Sequence, residues 1–81
     1  MLTVEYGPEN VVEITVDIVG LEALLEMLRT LESGDHEHLL TPSWGGNELT
    51  EEFPRPDMVP VHKVTVQFVD EAEKEGLIRR G

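Results

Sequence analysis

The chain has 81 residues and a formal charge of −11, with six basic and 17 acidic side chains and no cysteine. That length gives one domain with a small core. The charge disfavours nucleic acid and anionic membrane, both polyanions, and favours a basic protein partner or simple solubility. Without cysteine there is no disulfide, thiolate metal site or thiol nucleophile. The start lacks a basic segment followed by an apolar run, and no apolar stretch approaches membrane-spanning length, so a cytoplasmic protein is expected.

In chain order, Leu2, Val4 and Tyr6 alternate with polar residues, and Gly7-Pro8-Glu9-Asn10 is a turn cluster. Val12, Ile14, Val16 and Ile18 then alternate with Glu13, Thr15 and Asp17. This predicts a β-hairpin whose second strand is rich in β-branched residues. Leu21, Leu24, Leu25, Leu28 and Leu31 follow the spacing of one helical face, which is expected to be buried as the largest piece of the core. Asp17 or Gly20 is expected to open this helix and Gly34 to end it in a left-handed conformation.

His36 to Thr41 predicts a third strand and Val59 to Val69 a fourth, with regular pairing confined to residues after Pro54, Pro56 and Pro60. The segment Asp70 to Gly81 reads as a charged, partly ordered tail with a short helix over Glu71 to Ile78 and only Leu77 and Ile78 to bury. The expected fold is α+β. It has ββαββ order, a mostly antiparallel four-stranded sheet and one amphipathic helix packed on one face, within residues 1 to 69.

Between the third and fourth strands lies Thr41-Pro42-Ser43-Trp44-Gly45-Gly46-Asn47-Glu48-Leu49-Thr50-Glu51-Glu52, which holds the single tryptophan. Its turn residues predict a surface loop. Trp44 anchors either the loop itself or a partner, because tryptophan is enriched at interface hot spots. Glu48, Glu51, Glu52 and Asp57 form either a solvated acidic surface or a contact surface for a basic partner. General acid–base work would need one of them buried and shifted, which a solvated loop does not supply. Gly45-Gly46 precedes acidic residues, so it suits a tight turn better than a phosphate cradle.

His36 and His38 share a strand face, and His62 lies on another strand. Three converging imidazoles would suit zinc, with Glu37 or Glu48 completing or orienting the site. The plainer reading leaves two of them exposed and His62 hydrogen-bonded at the core edge. Ser43 with His38 or His62 is a weak nucleophile–base pair, because no sharp strand-to-helix turn surrounds it. No catalytic residue and no cofactor is expected.

Several of these residues together resemble a family. Gly20-Leu21 opens a leucine-rich helix, Gly34-Asp35-His36-Glu37-His38-Leu39 follows, and then come the Trp44-Gly45-Gly46-Asn47-Glu48-Leu49 loop and a final aliphatic strand. Over about residues 12 to 69 this is similar to the immunity proteins of bacterial polymorphic toxin systems, family thirty-two; Pro54 to Pro60 departs from that pattern. The resemblance implies a small cytoplasmic antitoxin that binds and neutralises a toxin; the residues themselves favour a non-enzymatic protein that acts by occlusion, with Trp44, Glu48, Glu51 and Glu52 as the contact surface. The alternatives are a metal-binding or enzymatic domain built on the three histidines, and a structural domain that forms a homodimer through an exposed strand edge.

Overall fold

The structure, a computed structural model, describes residues 1–80. Gly81 and the side chains of residues 73 and 77–80 lie outside the described residues, and so does the expectation for Leu77 and Ile78.

The hairpin forms as its alternation predicts. Strand β1 (Leu2–Gly7) pairs antiparallel with β2 (Val11–Val16), matching Leu2 to Val16, Val4 to Ile14 and Tyr6 to Val12. Directly paired residues share a face, so these six line one side of the sheet. A short 3-10 turn over Pro8–Asn10 joins the strands, and the Tyr6 hydroxyl donates to Asn10 Oδ1 at 2.8 Å.

Helix α1 spans Ile18–Thr30. Asp17 caps it, its carboxylate accepting the Gly20 N–H at 2.8 Å and so satisfying an otherwise unpaired helix-start donor. Ile18 therefore belongs to the helix and not to the preceding strand. The helix ends at Leu31, before Gly34; that glycine is left-handed (φ 89°) but lies in the turn beyond.

The expected four-stranded sheet does not form. Two antiparallel sheets replace it, ordered β2-β1-β4 and β3-β5, where β3 is His36–Leu40, β4 is Val59–Pro60 and β5 is Lys63–Gln67. The single strand expected over Val59 to Val69 is split at Val61-His62. Its first part pairs with the end of β1, Glu5 to Pro60 and Tyr6 to Val59, while its second part pairs with β3. The physical reason lies beside the start of β1. There the Thr50 N–H bonds to Leu2 O at 2.8 Å, so the long loop occupies the position a continuous strand would take. Val61 N–H to Val4 O (2.9 Å) and Thr41 N–H to His62 O (3.0 Å) tie the two sheets through the split. The class remains α+β. A second helix, α2, spans Glu71–Arg80. No helix among the described residues is long and apolar enough to cross a membrane.

The core is small and sits where β1, β3 and the loop meet. Leu2, Val4, Leu39 and Leu49 are buried together, with Val16, Leu24, Met27, Val61, Val64 and Val66 packed partly against them. The leucine stripe is not buried as a unit. Leu24 and Leu31 are half-buried, but Leu21, Leu25 and Leu28 are exposed. The helix is turned so that Gly20, Leu24, Met27 and Leu31 face inward, because Gly20 sits directly against the Met1 carbonyl. At about 100° per residue, Leu21, Leu25 and Leu28 then fall on the outer flank of that stripe.

The opposite face of β1 is covered by the loop. Thr3 and Glu5 are fully buried there. Thr3 Oγ1 lies 2.7 Å from Thr50 Oγ1 and donates to Glu52 O at 2.9 Å. Glu5 Oε2 accepts the Arg55 N–H at 3.0 Å, while its Oε1 has no hydrogen-bond partner among the described residues. Arg55 Nη1 reaches Glu13 at 2.8 Å and its Nε reaches Asp57 at 3.3 Å. Thr3→Val keeps the shape but strips both hydroxyl bonds from buried groups. It is expected to cost about 1–3 kcal/mol in urea denaturation, and a cost near zero would show that these bonds do not hold the loop.

Candidate functional site

The loop after β3 begins with a 3-10 turn over Pro42–Trp44. Pro42 sets its first dihedral, and the Trp44 N–H donates to Thr41 O at 2.9 Å. Gly45 closes the turn in a left-handed conformation (φ 88°), its N–H bonding Pro42 O. Gly46 passes so close to Leu40 that a Cβ there would lie 2.4 Å from the Leu40 Cβ. The double glycine thus serves a tight turn, as its composition suggests, and fixes where the indole goes.

Trp44 is 59% exposed, yet it is not loose. Its ring stacks on His62, with centroids 5.9 Å apart and an interplanar angle of 3°. Phe53 meets the same imidazole edge-on, at 5.9 Å and 75°. The His62 ring is fixed in turn by Thr41, whose Oγ1 lies 2.7 Å from Nδ1. Thr41 is completely buried, so this hydroxyl acts as an anchor for the ring rather than as an accessible nucleophile. Offset stacks and edge contacts of this kind add about 0.5–1.5 kcal/mol beyond burial. They hold one side of the indole while most of its surface faces solvent.

The carboxylates divide into two groups. Glu48 Oε1 accepts the Leu40 N–H at 3.2 Å. Glu51 accepts the Ser43 N–H, and the Ser43 hydrogen bonds hold its carboxyl below the ordinary value of 4.5. A lowered carboxylate contributes above its ordinary pKa and loses that contribution only as pH falls through the lowered value, so this tether persists into the acidic range. Glu48 and Glu51 are therefore loop-holding groups as well as surface charges. Glu52 is exposed and holds the loop only through its backbone carbonyl, which accepts from Thr3. Ser43 is joined to Glu51 rather than to a histidine.

The three histidines do not converge. His36 and His38 contact each other, with ring centroids 5.0 Å apart, and His38 Nδ1 lies 2.9 Å from Thr65 Oγ1. Register places His36, His38 and Leu40 opposite Gln67, Thr65 and Lys63. Alternation then puts His62 on the other sheet face, with Leu39, Thr41 and Val64. This removes the geometric basis of the zinc reading. Among the described residues no group of three or more histidine, aspartate or glutamate side chains could hold a metal ion.

Sequence reading located Trp44 but not its supports. Phe53 and His62 lie nine and 18 positions further along the chain, and nothing local marks them as neighbours of the indole. Set against protein-family models, curated proteins and solved structures, the chain finds no match in any of the three.

Proposed function

We propose that this protein is a small, acidic, non-enzymatic binding domain of the immunity type, which neutralises a basic protein toxin by covering its working surface. The observation that carries this reading is Trp44, a large, exposed ring held on His62 in a loop that also carries Glu48, Glu51 and Glu52 in its sequence. A rigid aromatic side chain loses little conformational entropy on binding, and hot spots are enriched in tryptophan. The carboxylates of the same loop steer a basic partner toward that part of the surface. The resemblance to immunity proteins of polymorphic toxin systems agrees with this reading, and a charge of −11 suits a cationic partner.

The test is a kinetic binding measurement against cationic proteins drawn from the genes that neighbour this one. Trp44→Ala is expected to raise the dissociation rate and cost about 2 kcal/mol or more of affinity. Glu52→Gln is expected to slow association, and added salt should do the same. Stability is measured on the same variants. A folded Trp44→Ala protein that binds with unchanged affinity would end the hot-spot reading.

A further inference from the structure

The apolar surface that α1 and β2 leave uncovered is extensive. Ile14 is 59% exposed and Val12 57%, although they share a sheet face with the buried Leu2 and Val4. Leu21, Leu25 and Leu28 flank the inward stripe of α1 and are also exposed. Among the described residues only Leu2, Val4, Leu39, Leu49 and Met58 are buried as apolar core. The chain folds without closing over half of its hairpin.

Strand β2 is also an edge. Sheet order β2-β1-β4 leaves the outer N–H and C=O groups of Val11–Val16 without a strand partner among the described residues. Protected edges are short, or carry proline, charged side chains or a bulge. The opposite edge, β4, has both of the first two devices, being two residues long and ending in Pro60. The six residues Val11-Val12-Glu13-Ile14-Thr15-Val16 are neither short nor interrupted by proline, and their one charge, Glu13, is taken up by Arg55.

We propose that the protein forms a two-fold dimer with a second copy of itself, β2 pairing antiparallel with the partner's β2 and the outer flanks of the two α1 helices closing over the joined face. The symmetry suits this strand. A two-fold axis normal to the sheet makes a strand antiparallel to its own copy and keeps the Val12-Ile14-Val16 side of both on one face. Three strands become six. Along β2 itself the charge of −11 does not oppose the contact, because Glu13 points to the other face and is ion-paired with Arg55 at 2.8 Å. The patch runs the length of a six-residue strand and a 13-residue helix, each about 20 Å long. A standard interface takes about 800 Å² per partner, roughly one seventh of this chain's 5865 Å². Trp44 and its loop lie on other elements, so the proposal stands apart from the binding function above.

Sedimentation equilibrium across a wide concentration range, with thermal unfolding at each concentration, tests it. The expected result is twice the chain mass, with an unfolding midpoint that rises with concentration. Ile14→Lys should weaken the dimer at least about 100-fold while circular dichroism shows the fold retained, since Ile14 makes little of the monomer core. Val59→Lys, an equally exposed position on the other edge, should leave it unchanged. A folded monomer at all concentrations with a constant midpoint overturns the proposal, whatever the variants do. So does association that survives Ile14→Lys, or that Val59→Lys abolishes equally.

Discussion

Leu49→Ala is expected to cost about 2–5 kcal/mol in chemical denaturation. The residue sits in the loop that carries Trp44, yet it is 1% exposed and packs with Leu2, Val4 and Leu39. Its N–H also bonds Leu40 O at 3.1 Å. Truncation removes the transfer energy of the side chain and opens a cavity between β1, β3 and the loop, where the Thr50–Leu2 and Gly46–Thr41 backbone bonds limit collapse. A chain of this length has about 4–12 kcal/mol in total, so the loss is a large fraction. Leu28→Ala is the contrast. At 44% exposure Leu28 contributes about 1 kcal/mol or less in dilute protein. Its cost should grow with concentration if the α1–β2 face is covered by a second copy. Equal losses for Leu49 and Leu28 in dilute protein would show that the core has been misplaced.

That contrast marks where local sequence stops being informative. The period-2 pattern of Leu2–Tyr6 and Val12–Val16 is enough to give a hairpin, while the helix start is legible only as Asp17 or Gly20, with the structure choosing Asp17. Both depend on neighbours within a few residues or across a short turn. The leucine stripe is different. Leu21, Leu24, Leu25, Leu28 and Leu31 span a wider arc than the helix buries, and periodicity does not say which edge of the arc faces the sheet. That choice is made by contact between Gly20 and Met1, 19 positions apart.

The sheet failed to be legible for a related reason. Val59 to Val69 alternates well enough for one strand, but which strand it pairs with is settled by distant groups. Thr50 takes the Leu2 carbonyl, and the chain leaves β1 after Val61 to join β3. The site shows the same division. The Trp44 loop stands out by composition, whereas Phe53 and His62 reach the indole only through tertiary folding. Counting Glu48 and Glu51 as free surface charge also missed their bonds to the Leu40 and Ser43 N–H groups.

Gly20→Ala is expected to destabilise the chain by more than about 2 kcal/mol, and here the two relevant effects have opposite signs. Helix propensity alone predicts a gain, because alanine is about 1 kcal/mol better than glycine inside a helix. Sterics predicts a loss. A Cβ at residue 20 would lie 1.7 Å from the Met1 carbonyl oxygen and 2.4 Å from its carbon. Both are backbone atoms, so no side chain can turn aside. The same carbonyl accepts the Asp17 N–H at 3.1 Å, so moving it also disturbs the helix cap. Relief requires α1 to lift from the start of β1, pulling Leu24 and Met27 off the core they pack against. The clash is far larger than the propensity gain, so the net sign is a loss. Ala23→Gly is the control. It lies on the same helix at an exposed position, and it should cost only the propensity difference of about 1 kcal/mol. Denaturation of the two variants side by side decides the matter. A Gly20→Ala protein as stable as the parent would mean that the helix does not rest on Met1, and the rotation that leaves Leu21, Leu25 and Leu28 exposed would lose its cause.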